Sequence, residues 1–126
     1  MAEIGFSQSA YAVIEGGEEI SVCVVLVSLT GQVNEEAFVG INTLQGSALS
    51  FSVSGAVDFT GVEVNDPILC APVLIAADNI LAGPRLSLVS AFVEGPLSIT
   101  FTPGGEEATI ETVETTGMLP LTTLYV

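Results

Sequence analysis

A chain of 126 residues with fifteen carboxylates, one arginine and neither lysine nor histidine carries a formal charge of −14. Such a surface cannot neutralise a phosphate backbone, which excludes nucleic-acid binding, and it makes contact with anionic lipid headgroups unfavourable. Without histidine and lysine the commonest general base and the Schiff-base nucleophile are missing, so the chain reads as non-enzymatic, suited to a hard cation such as calcium or to a passive structural role.

The length implies one domain with a sizeable core. Only 13 % of residues are charged, and the remaining polar surface is mostly Ser, Thr and Gly, so solubility depends on the net negative charge. The longest apolar run, residues 22–27, is far below the roughly 18 residues of a membrane helix, and no membrane insertion is expected. Met1-Ala2-Glu3-Ile4 offers neither a basic nor a long apolar stretch and does not read as a signal peptide. That leaves an internal protein, or a mature piece behind a start methionine. Cys23 and Cys70 are compatible with one disulfide or with two small core thiols. With no CxxC and no histidine, zinc is excluded.

Taken in chain order, apolar residues alternate with a period of two and no segment sustains a helical period. Residues 11–15 form a first strand, turned by Gly16-Gly17. Residues 19–29 form a long strand that is apolar on both faces over its middle, which places it centrally in a sheet. After a turn at Thr30-Gly31-Gln32, residues 36–44 alternate Phe38, Gly40 and Asn42 against Ala37, Val39 and Ile41. Residues 45–57 read as a Gly/Ser-rich passage around a short apolar core at 49–53, followed by a turn at Asp58-Phe59-Thr60-Gly61. Further strands are expected at 68–75, 86–92, 97–101 and 108–113, separated by Pro/Gly punctuation. About seven short strands at this spacing indicate an all-β, antiparallel, immunoglobulin-like β-sandwich over residues 1–117.

The remaining segment, 118–126, is apolar and uncharged, with Leu119, Leu121, Leu124, Tyr125 and Val126. It either covers an edge of its own domain or is donated as a strand to a neighbouring copy.

The ordered features resemble a Calx-beta domain. Tyr11-Ala12-Val13-Ile14-Glu15-Gly16 is similar to that family's opening Y-x-V-x-E-G. Ser21-Val22-Cys23-Val24 resembles the second strand of its cysteine-bearing extracellular members. Thr43-Leu44-Gln45-Gly46-Ser47-Ala48 followed by Asp58-Phe59-Thr60 resembles T-x-x-G-(T/S)-A…D-(Y/F). Cys70-Ala71-Pro72-Val73-Leu74-Ile75, then Asp78-Asn79-Ile80-Leu81, resembles the cysteine strand with its acidic loop, and Ala108 to Glu114 resembles the closing strand. The family's L-x-F-x-x-G hairpin before the cysteine strand reads as shortened or absent. Its acidic loop is eroded, with Ala77 for one Asp, Ala82 for a Glu and Arg85 where a further Glu is usual.

The resemblance implies calcium ligands at Glu15, Asp58, Asp78 and Glu114, gathered at one end of the sandwich. Four carboxylates with carbonyls and water would hold Ca2+ weakly. The alternative is that no ion binds and that Arg85 replaces it by pairing with Asp78 or Asp58. The resemblance also implies a Cys23–Cys70 disulfide and an oxidising compartment. The expected function is therefore an extracellular structural or adhesion module, a repeat of a matrix or cell-surface assembly whose partners are neighbouring copies or adjacent repeats. Two alternatives are a filament subunit joined by C-terminal strand exchange and a calcium-sensing regulatory domain. The acid pairs Glu18-Glu19, Glu35-Glu36 and Glu106-Glu107 read as solubilising charges at strand ends and turns.

Overall fold

A computed structural model describes residues 1–76 and 85–114. Asp78 and the segment 118–126 lie outside these. The described chain is all-β: β1 (Ala2–Phe6), β2 (Ala10–Ile14), β3 (Ile20–Leu29), β4 (Glu36–Thr43), β5 (Ser52–Asp58), β6 (Pro67–Val73), β7 (Arg85–Glu94), β8 (Ile99–Phe101) and β9 (Glu107–Val113). One sheet runs β6-β3-β1-β8 and the other β2-β9-β7-β4-β5. The core lies between them, built from alternate residues such as Ile4, Val13, Val22, Val24, Leu26, Val39, Ile41, Val89 and Ile110. Because strand side chains alternate, each of these strands sends every second residue inward. The long strand expected at the centre of a sheet is β3, flanked by β6 and β1.

Three expectations are corrected. Residues 2–6, which the pattern did not mark, form β1, and residues 52–58 form β5 rather than a loose passage. Nine strands therefore replace the expected seven or so. The arrangement is also not purely antiparallel, since β1 pairs β8 and β2 pairs β9 in parallel. The cause is that residues 2–14 change sheets at 7–9, so two pieces of one strand path serve two sheets. The Tyr11 hydroxyl pins this crossover: it is 2.8 Å from the Ser7 hydroxyl, accepts from the Gln8 amide at 3.3 Å and donates to the Cys23 carbonyl at 3.4 Å.

Cys23 and Cys70 are bonded to each other across β3 and β6, directly opposite in register and 47 residues apart in the chain. Val22 and Val24 point inward, so Cys23 between them lies on the outward face, and Cys70 is exposed on an edge strand. The bridge is thus a clamp within one sheet, not a link between the two.

Gly40 is fixed by a close approach. It sits opposite Phe92 in the β4–β7 register, and a Cβ there would run into the Phe92 ring. The ring lies over the glycine and against Phe38, with centroids 6.1 Å apart, an aromatic covering a gap in the sheet face. Gly40→Val is expected to cost about 1–3 kcal/mol through overpacking. Gly55, with open space around its Cβ position, is the control, and Gly55→Ala should stay within about 0.5 kcal/mol of the parent. Chemical denaturation of both variants checks this.

Candidate functional site

Parallel pairing of β2 with β9 places Ile14 opposite Val113, so the next residues, Glu15 and Glu114, emerge side by side at one end of the sandwich. The Glu15 amide donates to the Val113 carbonyl at 2.9 Å, and the chain then turns at Gly16, whose φ of 73° favours glycine. Antiparallel pairing of β7 with β9 sets Arg85 opposite Thr112 at the same end. Three separate segments therefore converge on one spot.

Both carboxylates are buried, with Glu15 only 1 % and Glu114 6 % exposed. The Arg85 guanidinium bridges them, its Nη2 at 3.6 Å from Glu15 Oε2 and 3.7 Å from Glu114 Oε2. These separations are those of ion pairs rather than of direct hydrogen bonds. Thr112 Oγ1 is buried beside them and, like Arg85 Nε, has no hydrogen-bond partner among the described residues.

Asp58 is not part of this cluster, contrary to expectation. It pairs with Glu36 in the β4–β5 register, and β4 meets the far end of β7 at Phe38–Glu94. Arg85 begins the ten-residue β7 and Glu94 ends it, which puts Asp58 roughly 30 Å from Arg85 at about 3.3 Å per residue. Its carboxylate caps the following turn, accepting from the Thr60 amide at 2.9 Å, and these hydrogen bonds from Thr60 hold its pKa below the ordinary aspartate value. Phe59 beside it is core. β5 thus ends at Asp58, and residues 59–66, where the family's hairpin would fall, lead to β6 without a strand. The expected pairing of Arg85 with Asp58 is accordingly replaced by pairing with Glu15 and Glu114. Asp78 lies outside the described residues.

The loop that does reach the Arg85 end from β4, residues 44–51, contains no acid. It docks on β7 through hydroxyls instead. Ser47 Oγ accepts from the Leu88 amide at 3.0 Å, and Ser87 Oγ accepts from the Leu49 amide at 2.9 Å. No group of three or more metal-ligating side chains occurs among the described residues. Calcium takes six to eight oxygen ligands, and two carboxylates already engaged by a guanidinium do not supply that set.

Comparison with solved structures places this architecture. The apo-form Calx CBD1 domain matches with a TM-score of 0.64 and 18 % identity, over 90 % of this chain and 97 % of that one. The fold is Calx-beta-like. CBD12 of CALX1.2 matches with a TM-score of 0.65 and 19 % identity, covering 90 % of this chain and 46 % of that one. A two domain protein from Bacteroides fragilis matches with a TM-score of 0.57 and 12 % identity, again over 90 % of this chain and 46 % of that one. At these identities the likeness is one of fold. No family model matches the sequence, and no curated protein matches it. The Calx-beta-like sandwich is one used by a calcium binding domain, that of CALX1.1. In this chain an arginine lies between two buried glutamates at one end of the sandwich.

Proposed function

We propose that this chain is a non-enzymatic, extracellular structural or adhesive module whose calcium binding is weak or lost. The observation that carries the reading is the Arg85 guanidinium lodged between buried Glu15 and Glu114. A fixed cation there does part of what a bound ion would do for stability, since it pairs with both carboxylates and ties the ends of β2, β7 and β9 together. Unlike an ion it does not come and go with concentration, which suits a scaffold better than a sensor. The disulfide supports an oxidising compartment. Among the described residues no helix is long and apolar enough to cross a membrane. That such a sandwich occurs as about half of a two domain protein supports adjacent repeats as its neighbours.

A calcium titration followed by thermal melting tests the reading. A ligand that binds only the native state raises Tm with concentration, by about 2.7 kcal/mol of stability at a hundredfold excess over Kd. The expected result is a flat Tm up to millimolar calcium. A steady rise at micromolar calcium would instead establish a calcium-sensing domain.

A further inference from the structure

The outward face of the five-stranded sheet is apolar at the end where β9 stops. Leu86 and Leu88 on β7, Ile14 on β2 and Leu44 just past β4 are 59, 45, 50 and 41 % exposed. In register, Leu86 lies opposite Glu111, Leu88 opposite Thr109 and Ile14 opposite Val113, so Leu86 and Leu88 line β7 while Ile14 lies on the far side of β9. The Leu44 amide donates to the Leu88 carbonyl at 2.9 Å. A depression of about 280 Å³ lies at Leu44, Leu88 and Thr109. Single exposed leucines are ordinary, but a contiguous row of them marks a face that is covered in use.

We propose that this face is covered by the chain's own residues 115–126. Four observations select that occupant. The segment begins two residues beyond Val113, at the rim of the row. Its twelve residues reach up to about 40 Å at 3.3–3.6 Å each, whereas β2 and β7 are only about 10 Å apart across β9. It carries no charge and holds Met118, Leu119, Leu121, Leu124, Tyr125 and Val126, so Glu107 and Glu111 on the face do not repel it. A second copy would approach with the whole chain's charge of −14 against the same charge. A segment tethered at the rim needs no such encounter and acts at an effective concentration in the millimolar range.

The chain has no tryptophan, so Tyr125→Trp installs a single fluorescent reporter in the segment. The expected emission is shifted to the blue of that from the free peptide 115–126 bearing the same substitution, and does not change with protein concentration. Adding Leu86→Asp with Leu88→Asp should return the emission to that of the peptide, while Leu97→Asp, at a site 91 % exposed and off this face, should leave it unchanged. Leu86→Ser alone serves where the double variant loses its β-sheet circular dichroism. Peptide-like emission in the parent, or a blue shift that survives the Leu86 and Leu88 changes, overturns the proposal. A blue shift that grows with concentration alongside a dimer in sedimentation also overturns it, in favour of strand exchange between copies.

Discussion

Replacing Cys23 and Cys70 together by serine is expected to lower stability by about 4 kcal/mol, the loop-entropy value for a cross-link of this span. For a domain of this size that corresponds to a fall in Tm on the order of 10–20 °C. Serine is accommodated at both positions, because Cys23 is half-buried and Cys70 is exposed on the outward face. The loss therefore reports the cross-link rather than a packing defect. Among the described residues β6 is an edge strand paired with β3 alone, and the bridge fixes its register while removing freedom from the unfolded chain. Urea denaturation of the oxidised protein, the reduced protein and the double serine variant measures the effect. The reduced and double-serine forms should agree. A loss under about 1 kcal/mol would mean that β-pairing alone holds the edge strand.

The second large effect is expected at Arg85. Arg85→Gln should cost about 3 kcal/mol, since removing one member of a buried ion-pair group strands the charge that remains. Here the guanidinium that bridges buried Glu15 and Glu114 is lost. Exposure of part of the guanidinium, 39 % for its side chain, keeps the figure at the lower end of the range for buried pairs. Arg85→Gln combined with Glu114→Gln should recover part of the loss at neutral pH. A cost below about 1 kcal/mol with no such recovery would reduce the pair to an ordinary surface contact.

How far the sequence was legible differs between fold and site. Period-two patterning located β2, β3, β4, β6, β7 and β9 to within a few residues, because a half-buried strand writes its inward face directly into the alternation. It missed β1, where Ala2, Ile4 and Gly5 are all buried and the alternation breaks at a register shift between Glu3 and Ile4. It missed β5 because an edge strand of Ser, Gly and Ala buries little and resembles a loop in composition. Among the candidate ligands, Glu15 and Glu114 could be named from the motifs that end in them. Their juxtaposition could not, since it depends on β2 lying parallel to β9 after the chain changes sheets. Asp58 was misplaced for the complementary reason: reading residues 45–57 as a Gly/Ser-rich passage hid a strand that carries the chain from one end of the sandwich to the other.

Sequence alone settled the general architecture. Alternating β-branched residues commit the chain to sheets, because this follows from short-range periodicity. Tertiary structure decided which charges meet. Arg85 is remote in sequence from Glu15 and Glu114, and a guanidinium selects its partners by distance and burial rather than by spacing along the chain. Only the stacking of β2, β9 and β7 in one sheet brings two buried carboxylates to the single cation.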